Sequence, residues 1–221
     1  MRCLILYYSF TGQAERAALI ASEAARSEGW EPVLCRITMT EPADAMERPF
    51  RIADAKRWTQ GAQKGAVVPI AYEPSGAIDG DHDAVLLFTN TWGGEPSVPV
   101  NSFLRSEAAK AVLGSKPFAV FVVCRRLWKK NRAKVRALGE AAGGQYIGGE
   151  AFMHSGSQIG SLMQTVSYLF RSDLGMRKIL GIRLPPYGLS DAALARIPAA
   201  TCEMLDKAAQ SSSQTSVARS D

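Results

Sequence analysis

Three short runs of consecutive apolar residues restrict the fold of this chain more than any other feature. They lie at residues 3–8, 84–88 and 118–124, and each is followed by a loop and then by a helical pattern. A strand that is apolar at every position is buried on both faces, as in a parallel sheet covered by helices. Together with shorter strands at 31–37 and 145–152, these runs predict an α/β fold with a parallel sheet.

The loops after the first, third and fourth strands are predicted to meet, because ligands of such sheets bind at the carboxyl ends of the strands. These loops are residues 9–14, 89–95 and 125–128. The first precedes a helix, whose unpaired N–H groups attract an anion such as a phosphate. An ordinary turn in which Ser9 or Thr11 caps the helix explains the same residues equally well.

Helices are predicted near residues 14–29, 52–62, 99–113, 129–142 and 190–209. The length of 221 residues, with 47% hydrophobic and 21% charged residues, fits a single domain over residues 1–209. Residues 210–221 are rich in serine, glutamine and threonine and are predicted to be disordered.

Composition also indicates the cellular compartment of the protein. No apolar run reaches the roughly 20 residues of a membrane-spanning helix, and no signal peptide is expected. The four cysteines are far apart and lack the spacing of a metal site, which indicates buried, reduced thiols in a cytoplasmic protein without a bound metal.

Positive charge is concentrated in one segment. Residues 125–136 contain seven basic residues and no acidic one. The segment is either a solvated helix face or a surface that attracts a phosphorylated ligand, an acidic partner or a membrane. Nucleic acid is not an expected partner, because no nucleic-acid-binding motif accompanies the charge.

A long segment, about residues 153–189, separates the fifth strand from the last helix. Its first half has apolar residues three and four positions apart, namely Ile159, Leu162, Met163, Val166, Leu169 and Phe170. Three interpretations stay open. The segment packs on the sheet, it forms a lid or a homodimer interface, or residues 159–184 form a basic amphipathic surface for peripheral membrane contact.

The N-terminal residues resemble those of flavodoxins. The pattern of an apolar pair, an aromatic, a hydroxyl and small residues is matched by Ile5, Leu6, Tyr7, Ser9, Gly12 and Ala18. Ala14 stands where that family usually has threonine, so one side-chain donor is missing from the expected phosphate site. The resemblance implies a flavodoxin-like, doubly wound, five-stranded parallel sheet of order 2-1-3-4-5, with an amphipathic insertion before the last helix.

The same resemblance implies an FMN site built from the three loops. The phosphate would be held by Ser9, Phe10, Thr11, Gly12, Gln13 and Ala14. The isoalloxazine ring would lie beside Thr89, Asn90, Thr91, Trp92, Gly93 and Gly94, although Trp92 is equally suited to a core. Its other side would be flanked by Cys124, Arg125, Arg126 and Trp128.

The function implied is an FMN-dependent oxidoreductase that uses NAD(P)H to reduce a quinone-like or other aromatic acceptor. Alternatives are an electron-transfer protein for a partner enzyme, and a flavodoxin-fold protein that has lost flavin. The two histidines, His82 and His154, are interpreted as structural or solvated rather than catalytic. Residues 91–189 are also similar to flavodoxin-like proteins named as dialkylresorcinol condensing enzymes, from which no condensation mechanism is carried over.

Overall fold

The computed structural model describes residues 1–171, 178–179 and 181–217. A mostly parallel sheet forms its centre, with the strand order β3-β2-β1-β4-β6-β7. The strands are β1 (Arg2–Tyr7), β2 (Glu31–Met39), β3 (Ile70–Glu73), β4 (Ala84–Trp92), β6 (Pro117–Cys124) and β7 (Gln145–Gly148). Apart from β3, which is antiparallel to β2, this is the predicted order 2-1-3-4-5.

The fifth parallel position is shared by two short strands. Beyond β7, the chain is interrupted and then continues as β8 (Ala151–Met153), which pairs with the later part of β6. The interruption lies at Gly149, where a side chain would collide with the Val120 carbonyl of β6. The predicted single strand over 145–152 is therefore two strands. At Gly149 the backbone lies so close to β6 that the regular pairing between the two strands is interrupted.

Helices cover both faces of the sheet. Alternate β1 residues point to opposite sides, so that Cys3 and Ile5 pack toward α1 (Gln13–Ser27) and α7 (Asp191–Val217). Leu4 and Leu6 face the other layer. That layer consists of α3 (Val98–Leu104), α4 (Glu107–Leu113) and α5 (Trp128–Ala141), with α2 (Ile52–Lys64) packed beside α3.

Three boundaries differ from the prediction. The helix predicted over 99–113 is divided into α3 and α4, because the Ser106 hydroxyl accepts a hydrogen bond from the Ala109 amide and caps a new helix. Strand β4 extends through Trp92, so part of the predicted loop 89–95 is strand, and β5 (Glu95–Pro96) turns back against it. Helix α7 continues to Val217, whereas disorder was predicted from residue 210; residues 218–221 lie outside the described residues.

The predicted insertion forms α6 (Gln158–Phe170) followed by the short pair β9 (Lys178–Ile179) and β10 (Ile182–Arg183). Residues 172–177 and 180 of this segment lie outside the described residues. Helix α6 is fastened to the chain before α2, because the Phe50 amide donates to the Leu169 carbonyl at 2.7 Å. Across the described ranges, no helix is both long and apolar enough to cross a membrane.

Candidate functional site

A cavity of about 360 Å³ lies at the carboxyl ends of β1, β4 and β6, beneath α6. All three predicted loops contribute to its wall. The contributing predicted residues are Phe10, Thr11, Gln13, Ala14, Asn90, Thr91, Trp92, Gly93, Gly94, Cys124, Arg125 and Arg126. The volume lies in the range of pockets that bind cofactors and other small molecules.

The first loop presents backbone donors rather than side-chain donors. Gly12 precedes α1 in the left-handed conformation, with φ +77°. Because glycine has no side chain, it cannot cap the helix with a side-chain hydrogen bond. The Ser9 hydroxyl accepts from the Glu15 amide at 3.2 Å, so Ser9 caps the helix and does not line the cavity. The amides of Gln13 and Ala14 donate to no other described residue and are available to an anion.

The polar side chains of this loop are engaged by the end of the insertion. The Thr11 side chain lies close to the Tyr187 hydroxyl and lowers the pKa of that phenol against the effect of burial. The Gln13 side-chain oxygen accepts from the Leu189 amide at 2.9 Å. The bond to Leu189 occupies only the oxygen of the Gln13 side chain, so its nitrogen remains a donor beside the backbone amides, while Ala14 contributes no hydroxyl.

The second loop supplies aromatic surface and an unsatisfied acceptor. The Trp92 ring lies 5.6 Å from the Trp58 ring and 5.9 Å from the Tyr8 ring, so Trp92 belongs to an aromatic cluster as well as to the cavity wall. The side-chain oxygen of Asn90 is buried and has no partner among the described residues. An N–H or O–H group of a bound ligand would satisfy it. Thr89, by contrast, is completely buried and does not line the cavity.

The third loop is fastened to the insertion by its arginines. The Arg126 guanidinium donates to the Gly156 carbonyl at 2.7 Å, and Arg125 donates to the Gln158 carbonyl at 3.1 Å. Trp128, which was expected beside the flavin, is instead the first residue of α5 and packs on the core with Arg132 over its ring. Its position in the helix turns the ring away from the cavity.

Much of the basic segment is engaged within the protein. Lys130 and Lys134 both pair with the buried carboxylate of Glu95, at 2.6 and 3.1 Å. Burial alone would raise the pKa of Glu95, but the hydrogen bonds from the two lysines outweigh it and the pKa lies below its ordinary value. The positive charge that faces solvent is therefore smaller than the sequence indicates.

The sequence did not point to half of the cavity wall. Residues before and within α2, together with the inward edge of α6, complete an apolar surface made of Met46, Phe50, Ala55, Trp58, Leu162, Val166 and Leu169. The apolar spacing in α6 was visible in the sequence, but its position over the strand ends was not. Helix α6 therefore roofs the cavity, and the interpretation of the insertion as a lid stays a prediction.

His154 and Tyr187 form one end of the cavity. Tyr187 stacks on Tyr168 with ring centroids 3.8 Å apart, and Arg48 lies over the other face of Tyr168. The His154 ring meets Tyr187 edge-on at 5.2 Å. Burial, followed by the charges of Arg125 and Arg126, lowers the pKa of His154 to about 4, so its imidazole is neutral at pH 7. Burial raises the pKa of Tyr187 to about 12.

His82 is buried and lies outside the cavity. It is 2% exposed and its ring nitrogen contacts the Ala77 carbonyl at 3.0 Å. His154 borders the cavity, and its interpretation as structural or solvated rather than catalytic stays a prediction. Its position follows from the pairing of β8 with β6, which places the end of the fifth strand beside Cys124.

The strand order and the cavity at its switch point define a protein with the flavodoxin fold. The chain is similar to a flavoprotein from Lactobacillus acidophilus NCFM that was crystallised in complex with FMN, with 18% identity over 68% of this chain and 92% of that one and a TM-score of 0.53. It is also similar to a flavodoxin from the domain Archaea, with 9% identity, 94% and 99% coverage and a TM-score of 0.51.

A flavodoxin from Streptococcus pneumonia TIGR4 is similar as well, with 13% identity, 94% and 99% coverage and a TM-score of 0.50. Identities this low establish the fold alone. Neither a protein-family model nor a curated protein sequence matches the chain.

Proposed function

We propose that this protein binds FMN and uses NAD(P)H to reduce a small quinone-like or other aromatic acceptor. The observation that carries the proposal is a pair of unpaired amides at the start of α1 beside an aromatic-lined cavity of about 360 Å³. A helix N-terminus favours a phosphate, and an apolar slot favours a flat ring. A flavin carries both groups in one molecule.

The residues at the cavity fit this cofactor. The amides of Gln13 and Ala14 would hold the phosphate, and Trp92 with the neighbouring apolar side chains would surround the ring and exclude water. The unpaired oxygen of Asn90 could accept from a ring N–H. When bound, FMN supplies hydride and single-electron transfer through its own chemistry.

The roof formed by α6 supports a small-molecule acceptor. Leu162, Thr165, Val166 and Leu169 cover the cavity from above. A protein partner would have to displace this helix to approach the ring, whereas a planar small molecule can enter beside it. The arginines of the third loop place positive charge at the wall, which favours an anionic dinucleotide and a reduced, anionic flavin.

One observation favours a second candidate, a flavodoxin-fold protein that binds an aromatic ligand without FMN. The Thr11 side chain lies close to Tyr187, the side-chain oxygen of Gln13 is already bonded to the insertion, and Ala14 offers no hydroxyl. The proposed FMN site therefore depends mainly on the backbone donors of Gln13 and Ala14. The likeness of residues 91–189 to proteins named as dialkylresorcinol condensing enzymes stays a prediction and adds no mechanism to either candidate.

Titration of the purified protein with FMN, followed by quenching of flavin fluorescence, tests the cofactor. We expect saturable quenching in the native protein and its loss in Ala14→Pro, because proline removes one donor and fills the space in front of it. Glu107→Pro at the start of α4 is the matched control, since proline is tolerated in a first helical turn and that helix lies outside the cavity. Absence of quenching in the native protein would support the second candidate.

Turnover then separates an enzyme from an electron carrier. The FMN-loaded protein should oxidise NADH or NADPH in the steady state when a soluble benzoquinone is present. If flavin is bound but neither nicotinamide is oxidised, the proposal of NAD(P)H-dependent reduction is wrong. Reduction only by a separate reductase would then indicate an electron-transfer protein.

A further inference from the structure

On helix α6 three polar side chains point inward and three apolar ones are exposed, while Leu169 and Phe170 are half-buried against the core. The inward set is 2–5% exposed and consists of Ser161, Gln164 and Ser167. The outward set is 72%, 46% and 47% exposed and consists of Ile159, Leu162 and Val166. A helix that packs only on its own domain has the opposite arrangement.

The inward contacts of α6 fix this orientation. The Gln164 side-chain nitrogen donates to the Pro185 carbonyl at 2.8 Å, as the chain returns along the helix. Pro185 also leaves no space for a side chain at Gly156, where an added Cβ would lie 2.4 Å from the proline ring. Rotating α6 to bury its apolar face would break the bond to Pro185 and expose the helix's polar face.

Two of the exposed apolar residues of α6 border the cavity, and Ile159 lies one helical turn before them. Leu162 and Val166 line the cavity with their inner edges and face outward with the rest of their side chains. On the third loop, Leu127 also lines the cavity and is 64% exposed. We call Leu127, Ile159, Leu162 and Val166 the apolar rim.

Basic residues accompany the apolar rim. Arg125 contacts the first turn of α6 through the Gln158 carbonyl, and Lys129 is exposed beyond Leu127. After α6, Lys178 and Arg183 are exposed cross-strand neighbours on β9 and β10. Between Glu150 and Asp191 the sequence has one acidic residue, Asp173, against four basic ones. An apolar strip with this charge complements an anionic lipid surface.

We propose that the apolar rim inserts into the surface of an anionic phospholipid bilayer, so that the mouth of the cavity faces lipid. A second copy of the chain fits this surface less well. A stable dimer buries roughly 800 Å² on each partner, whereas the rim is one helix stripe and a single leucine wide. Shallow insertion needs only one apolar helix face. The proposal does not depend on whether the cavity holds FMN.

Co-sedimentation of the full chain with vesicles tests the proposal. We expect binding to vesicles of phosphatidylcholine mixed with phosphatidylglycerol at low salt, and much weaker binding to phosphatidylcholine alone. Ile159→Asp should lower the partition coefficient at least about tenfold. The substitution removes an apolar side chain that would enter the bilayer and adds a negative charge that the anionic lipids repel. Ile159→Leu should bind as the native protein does. Removing Lys178 or Arg183 should weaken binding roughly fivefold for each charge.

Leu19→Asp is the matched control. Leu19 is a helical apolar residue, 49% exposed, on α1 and outside the cavity, so its substitution should leave vesicle binding unchanged. Equal thermal stability of the two aspartate variants would exclude misfolding as the cause of a difference. No binding at low salt would overturn the proposal. So would a dimer detected by analytical ultracentrifugation that Ile159→Asp dissociates, because a second copy would then cover the rim.

Discussion

The neutral imidazole of His154 predicts a specific loss of stability in mild acid. In the folded protein its pKa is about 4, against an ordinary value of 6.5, because the ring is buried and lies near Arg125 and Arg126. As the pH falls below the ordinary value, the unfolded chain binds a proton at this histidine while the folded chain does not. Protonation therefore favours unfolding, and stability falls until the pH reaches the folded pKa.

The size of the effect follows from the two pKa values. Between about pH 7.5 and about pH 5, linkage predicts that His154 costs the protein about 2 kcal/mol of unfolding free energy. Most carboxylates remain ionised over that range, since their ordinary pKa values lie near 4. The other histidine, His82, also has a lowered pKa because of burial, so it contributes to the slope in the same direction.

Urea denaturation of the native protein and of His154→Gln, each at about pH 7.5 and about pH 5, measures the contribution of His154 to the unfolding free energy. We expect the native protein to lose about 2 kcal/mol more than the variant on acidification, because His82 and the carboxylates are common to both and cancel in the comparison. His82→Gln gives the separate contribution of the second histidine. If the native protein and His154→Gln lose the same stability within about 0.5 kcal/mol, the reasoning about a buried neutral imidazole is refuted.

Four further substitutions test single contacts. Ala14→Thr should bind FMN more tightly than the isosteric Ala14→Val by at most about 1.5 kcal/mol, measured by fluorescence titration, since the two differ by one hydroxyl donor. Gly139→Ala should destabilise the fold by about 1–3 kcal/mol in urea, because the added carbon would lie 2.5 Å from a core phenylalanine ring. Gly61→Ala, with its nearest neighbour at 3.5 Å, should instead stabilise by about 0.5–1 kcal/mol. Tyr187→Phe should cost about 1 kcal/mol in the same assay, because it removes the hydroxyl that lies close to Thr11 and keeps the stacked ring.

The sheet could be predicted because its signal is local. Short runs of consecutive apolar residues such as 84–88, each followed by a loop and a helical pattern, favour strands buried on both faces and joined by crossover connections. The edge strand β3 was missed, since four residues with a partly exposed pattern carry little periodic signal. The division between α3 and α4 depended on one capping hydroxyl at Ser106.

The cavity was only half predictable. Loop residues such as Phe10 and Trp92 were expected there because the loops follow adjacent strands. Phe50 and Tyr187 were not expected at the cavity, since both lie in segments without regular periodicity. Phe50 is held there by its bond to Leu169, and Tyr187 by its stacking on Tyr168. Trp128 was expected beside the flavin but lies outside the cavity wall, because its ring packs against the core from the first turn of α5.

The sequence by itself determined the parallel strands and the three loops that follow them, because each depends on residues that are neighbours along the chain. The order of the strands was implied by the resemblance to flavodoxins, since pairing joins segments that are far apart in the sequence. The tertiary structure alone decided which polar groups of those loops remain available. Thr11 and Gln13 carry suitable side chains for a phosphate, yet Tyr187 lies close to the first and the Leu189 amide bonds the oxygen of the second, both from the far end of the chain. It also decided that α6 faces outward with its apolar side, since the partner that holds Gln164 in place is Pro185. Contacts of this kind join distant segments, and no local pattern records them.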